Sequence, residues 1–227
     1  MPAMTRTTRR PDTQHGFTLA EIAIVLVILA ILASALLIPL GGQIEARQRA
    51  EAQATLQDIR EALIGFAILN KRLPCPTIVV SPSQPGYGEE SIDGATNTCA
   101  TGDDEGLLPW RTLGITPLDP WNQHWRYRAD RRFSDPDKAP VTITHLVLDD
   151  IAVEDHGGGA LTSGGNTAVA LVYTYGANRS ADGQNGSYEA GAHALYEAGE
   201  PTTAYDDMVM WFGRPLLIAR MAEAGAF

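Results

Sequence analysis

Three sets of residues in this sequence have types and spacings that could do chemistry. The first is Glu21, a carboxylate near the start of the long apolar run HGFTLAEIAIVLVILAILASALLIPL, residues 15–40. The second is the cysteine pair Cys75 and Cys99, and the third is a set of aspartates near the far end, Asp182, Asp206 and Asp207. A carboxylate at the centre of a lipid-embedded helix costs about 2.5–3.5 kcal/mol, and less near the interface, so Glu21 needs a reason to be there. Two accounts of it stand side by side: the side chain snorkels to the headgroups, or it meets a cationic partner.

Two cysteines enclosing a loop of about 25 residues form a disulfide in an oxidising compartment, which would stabilise the fold by roughly 3 kcal/mol. The alternative is two separate buried thiols. For the aspartates, Asn178-x-Ser180-x-Asp182-Gly183 followed by Glu189 comes near the spacing of an EF-hand loop. It fails at the first position, where asparagine brings no charge, and no helix precedes it. A looser calcium site using Asp182 with Asp206 or Asp207 and a polar, turn-rich hairpin both remain open.

The elements that must position these groups follow from pattern and composition. From Ile22 to Ile38 only Ser34 is not apolar, which matches a bilayer core in length and exceeds the core of a cleaved secretory signal. Arg6, Arg9 and Arg10 precede it, so the first sixteen residues are expected in the cytoplasm and the remainder outside. Pro39, Gly41 and Gly42 predict a kink or melting point. Beyond them Ala52, Leu56, Ile59, Leu63 and Phe66 form one apolar stripe on an amphipathic helix, with Glu45 and Arg49 spaced for an ion pair on its solvated side. A helix from Phe17 to about Asn70 would be roughly 80 Å long.

Residues 73–120 are rich in Pro, Gly, Thr, Asp and Ser and read as loop, with Asp103-Asp104-Glu105 a solvated turn or a cation ligand set. Residues 125–128, 141–148 and 169–175 carry β-branched and aromatic side chains suited to strands. In the last of these Val169, Leu171, Tyr173 and Tyr175 alternate, so that face is expected to cover the helix. The predicted class is α+β, a long N-terminal helix packed on a small antiparallel sheet. A formal net charge of −10, from 17 Lys+Arg against 27 Asp+Glu, argues against a nucleic-acid partner. His156-Gly157-Gly158-Gly159 is read as a glycine turn after a strand, because no G-x-S-x-G nucleophile accompanies it. No zinc-ligand spacing or phosphate-cradling loop is found, and nothing argues for an enzyme.

Gly16-Phe17-Thr18-Leu19-Ala20-Glu21, after a short basic leader and before the apolar run, resembles the cleavage motif of type IV pilins and type II secretion pseudopilins. The resemblance implies a prepilin peptidase that cuts between Gly16 and Phe17 and methylates the new amino terminus of Phe17. It implies that Glu21 meets that amine or a neighbouring subunit's during assembly. A new α-amino group has a pKa near 7.7–8.0 and carries substantial charge at neutral pH, so an acid in an apolar filament core would favour the register that pairs the two.

The implied organisation is a cleaved cytoplasmic leader (1–16), a transmembrane and filament-core helix (17–40), its amphipathic continuation (41–70) and a periplasmic head (71–227). Implied partners are other pilin or pseudopilin subunits and an inner-membrane assembly platform. Asp119-Pro120-Trp121-Asn122, Trp125-Arg126-Tyr127, Tyr175-Gly176-Ala177-Asn178, Asp182-Gly183 and Asp207 to Trp211 are similar in order to the motif series of pseudopilin heads, whose last loops bind calcium. Asn122 and Asn178 depart from that series. These features favour a secretion pseudopilin. A minor type IV pilin for adhesion, motility or DNA uptake is the near alternative, and a membrane-anchored periplasmic enzyme or ligand-binding domain the more distant one.

Overall fold

A computed structural model describes residues 18–101, 105–162, 167–190 and 194–227, with the side chains of 34–41 and 187–190 outside that description. Residues 1–44 and 45–227 form two compact units. Helix α1, Leu19–Asn70, contributes to both.

In the first unit every large apolar side chain from Ile22 to Leu32 is 48–62% exposed. Among the described residues no helix is long and apolar enough to cross a membrane, and residues 34–41, which complete the apolar run, are not among the described side chains. The helical backbone continues through Pro39, Gly41 and Gly42, so the predicted melting point does not end the helix. A lost proline donor removes one hydrogen bond while the neighbouring turns keep theirs.

In the second unit α1 supplies Ala52, Leu56, Ile59, Leu63, Ile64 and Ala67 to the main core. Phe66, expected on that stripe, is only half-buried and lies beneath the Arg72 guanidinium, 5.5 Å from its ring centroid. Ala67 takes its place because the buried face turns toward Ile64, which brings position 67 under the sheet and leaves position 66 at the rim. Arg49 donates to Glu45 at 2.7 Å, as its i,i+4 spacing predicts.

The loop region carries β1 (Ile92–Asp93) and β2 (Thr98–Cys99), which pair as a short hairpin, then β3 (Gly106–Leu107) and the single turn α2 (Trp110–Leu113). Strand β4 (Arg126–Ala129) is followed by the short helix α3 (Arg131–Ser134), then by β5 (Ala152–Glu154) and β6 (Ala168–Thr174). Helix α4 (Gly183–Ala190), β7 (Leu195–Glu197), β8 (Met208–Gly213) and α5 (Arg214–Glu223) complete the order. The main sheet is antiparallel, β3-β4-β6-β8, as expected. A parallel β5–β7 pair was not expected.

Strand β6 is buried along its whole length, so its sequence AVALVYT reads as a continuous apolar run rather than an alternating one. Its faces are not those the alternation suggests. Leu171 and Tyr173 join a second core with Ile151, Val153 and Tyr196, while Ala170 and Val172 face the α1 core. An irregularity between Ala168 and Ala170 moves Val169 to the α1 side as well. A bulge of this kind resets which side chains share a face.

Residues 141–148 form no strand. Their backbone groups are taken by partners outside any ladder. Val141 N–H donates to the Lys71 carbonyl at 2.7 Å, Arg214 donates to the carbonyls of Ile143 and His145, and Leu148 N–H donates to Asp130 at 2.6 Å. With those groups satisfied, β-propensity alone does not produce a strand.

Candidate functional site

At the start of α1, Thr18 and Glu21 bond reciprocally. Thr18 N–H and its hydroxyl donate to Glu21 Oε2 at 2.8 and 3.0 Å, and Glu21 N–H donates back to Thr18 Oγ1 at 3.3 Å. This is a capping box, in which two orphan amides of a helix start are satisfied at once. Its signature, Thr-x-x-Glu ahead of an apolar run, was available in Thr18-Leu19-Ala20-Glu21. The carboxylate therefore has a structural task inside the chain as well as the intersubunit task expected of it. Gly16 and Phe17 lie outside the described residues.

Residues 12–37 match the prokaryotic N-terminal methylation motif. The chain carries the type IV pilin and pseudopilin signature. No curated protein and no solved structure matches it. The signature supports a pilin-like or pseudopilin subunit of the cell envelope, processed by a prepilin peptidase and assembled with other pilin subunits. It spans only the motif and no part of the second unit.

There Cys75 and Cys99 are disulfide-bonded and buried. Arg72 donates to both oxygens of Glu90 at 2.7 and 2.8 Å, and Cys75 N–H donates to the same carboxylate at 3.1 Å. The disulfide and this carboxylate together hold the Pro- and Gly-rich loop to the end of α1.

Asp182, Asp206 and Asp207 come together from the β6–α4 loop and the segment before β8, and one oxygen from each lies within 4.8 Å of the others. Asp206 Oδ2 accepts from the Ala177 and Asn178 amides at 2.7 and 3.0 Å. Asp182 N–H donates to Asp207 Oδ2 at 3.0 Å, and Asp206 N–H donates to Asp182 Oδ2 at 2.9 Å. Gly176, at φ +66°, is required, because a Cβ there would meet the Asp206 carbonyl oxygen at 2.4 Å.

Burial, with Asp182 and Asp206 nearby, pushes the Asp207 carboxyl up to about 7. The Oδ1 atoms of Asp206 and Asp207 are buried with no hydrogen-bond partner among the described residues. Three carboxylates gathered this closely fit a hard cation that takes oxygen ligands. Asn178, the first position of the EF-hand-like spacing, instead spends its amide on Asp182 at 2.9 and 3.0 Å, and the Glu189 side chain lies outside the described residues.

The other head motifs converge on the same end of the sheet. Asp119 accepts from the Trp121 and Gln123 amides at 2.9 and 2.8 Å and from the hydroxyl of Thr174, the last residue of β6.

Glu105 corrects the reading of the acidic run. It is 9% exposed rather than solvated, is ion-paired with Arg126, and accepts from the hydroxyls of Tyr173 at 3.2 Å and Tyr196 at 3.0 Å. Burial raises its pKa despite the arginine. Asp103 and Asp104 lie outside the described residues. No local spacing announces this network, since its members come from β4, β6, β7 and the residue before β3. The glycine turn is found as expected: the Gly157 and Gly159 amides donate to Asp155 Oδ1 at 2.8 Å each.

Proposed function

We propose that this protein is a structural subunit of an envelope-spanning filament, a pseudopilin of a type II secretion machine in the first instance, with a minor type IV pilin as the alternative. The observation that carries the reading is the methylation motif over residues 12–37 with Glu21 at its fixed place four residues after Phe17. On this reading residues 1–16 are the leader, 17–40 span the inner membrane and then line the filament, 41–70 carry the helix into the head, and 71–227 are the periplasmic head.

An exposed, apolar helix surface fits burial in lipid and later among other copies. After cleavage the Phe17 amine of one subunit pairs with Glu21 of a neighbour, because an acid left alone in an apolar filament would be costly. The order of the head motifs supports the secretion machine over the pilus. No chemistry of bond-making is assigned to the head.

Mass spectrometry of the native product tests this. The expected mature chain begins at an N-methylated Phe17 in cells with a prepilin peptidase and is full-length without one. Gly16→Val is expected to leave the leader attached. Glu21→Ala is expected to be cleaved yet scarce in sheared fibres, and normal incorporation of that variant would overturn the pairing argument.

The two orphaned aspartate oxygens favour a second reading, of a structural calcium site held by Asp182, Asp206 and Asp207. Bound calcium would supply positive charge where three carboxylates crowd, and would raise the melting temperature of the full chain. EGTA is expected to lower it, and Asp207→Asn to abolish the response; a melting curve indifferent to EGTA would count against the site.

A further inference from the structure

His156 stands at the tip of the glycine turn and is bonded through both ring nitrogens. Nδ1 lies 2.7 Å from Glu197 Oε1, and Nε2 lies 2.8 Å from the backbone carbonyl oxygen of Glu200. A carbonyl oxygen can only accept, so Nε2 must carry a proton. The carboxylate opposite Nδ1 is likewise an acceptor, so both bonds form only when the ring is the doubly protonated imidazolium.

The ring fastens separate pieces of chain. Gly199 lies directly against it, where a Cβ would come within 2.3 Å of Nε2, and the Tyr205 ring packs edge-on with centroids 4.5 Å apart. Glu197, for its part, accepts from Gln184 N–H in the first turn of α4 at 3.0 Å through its second oxygen. The segment held in this way, Gly199 to Ala204, walls two adjoining clefts of about 470 and 530 Å³ beside Arg49 of α1.

We propose that His156 is a pH-operated latch: the imidazolium pins the Gly199–Ala204 loop to the turn before it, and loss of the Nε2 proton, the one facing an uncharged acceptor while Glu197 retains that on Nδ1, frees the loop and loosens the wall of both clefts.

The groups facing the ring are Glu197 from β7, the Glu200 carbonyl from the loop, Tyr205 just after it, and Asp155 from the ring's own turn. The hydrogen bonds to Glu197 and Glu200 raise the histidine pKa, and the charges of Glu197 and Asp155 add to the effect. A raised value means that the latch is complete below the ordinary histidine range near 6.5 and is lost as pH climbs through the higher folded value.

The test uses the full chain in detergent micelles. Long-range nitrogen–proton NMR of the His156 ring from pH 5.5 to 8.5 reports its protonation, and amide exchange reports the protection of Thr202, whose N–H donates to the Tyr205 carbonyl at 2.7 Å. Expected are both nitrogens protonated at pH 6 and a fall of about tenfold in Thr202 protection, corrected for intrinsic rates, that tracks the ring titration, the scale of one charge-assisted bond. His156→Gln is expected to give low, pH-independent protection. A ring singly protonated at pH 6, or Thr202 protection that ignores the ring's titration, would overturn the latch, and the wild-type measurements decide this even if the variant fails to fold.

Discussion

The two stretches of α1 bury their apolar side chains in opposite ways. From Ala52 to Ala67 the apolar residues keep to one stripe, and that stripe is covered by the sheet and α5. From Ile22 to Leu32 they surround the helix, and all of them stand about half exposed. Stripe and sleeve differ in what they require. A stripe can be satisfied by its own chain, whereas a helix apolar all round needs a surrounding medium or other helices. The contrast locates the protein's own stability in the second unit and leaves the first to be stabilised by its surroundings.

The sharpest way to break this contrast is a matched pair of truncations. Leu63→Ala is expected to cost the folded head about 2–5 kcal/mol in chemical denaturation, while Leu26→Ala should leave the same transition within about 0.5 kcal/mol. Equal losses would mean that the sleeve is part of the folding unit. Next in size, replacing Cys75 and Cys99 by alanine should lower head stability by about 2–4 kcal/mol with no change in the proposed cleavage after Gly16, read by denaturation and mass spectrometry together.

Phe66→Ala is expected to cost less than Ile64→Ala, about 1 kcal/mol against 2–4, since Phe66 lies at the rim and Ile64 is 2% exposed. A reversed order would restore the stripe as first read from the sequence. The smallest effect belongs to the solvated side of α1. Glu45→Gln should change stability by about 0.3–0.5 kcal/mol, and less at high salt, because the Glu45 carboxylate is exposed and its Arg49 partner only half-buried.

What could be read from the sequence was local. The processing motif, the buried stripe from Ala52 to Leu63, the Glu45–Arg49 pair and the glycine turn at His156 each lie within a few residues, where spacing alone sets geometry. Strand β6 was located correctly and its faces were not, because a strand buried on both sides does not show by alternation which side meets α1, and an irregular step near Ala168 puts Val169 on the same side as Ala170. Residues 141–148 had the composition of a strand, but side chains as distant as Asp130 and Arg214 took their backbone groups first. Glu105 looked solvated beside two aspartates, since its partners at 126, 173 and 196 are brought in only by the order of strands. The three aspartates were gathered as expected because the loops carrying them end on neighbouring strands.

Strand β6 serves as a party wall between two rooms. Enlarging Ala170 presses on the room shared with α1, while enlarging Leu171, its immediate neighbour, presses on the room closed by β5 and β7. Neither push can be relieved outward, so a disturbance entering from the β5–β7 side is felt across β6 in the core that holds Ala52 to Ala67.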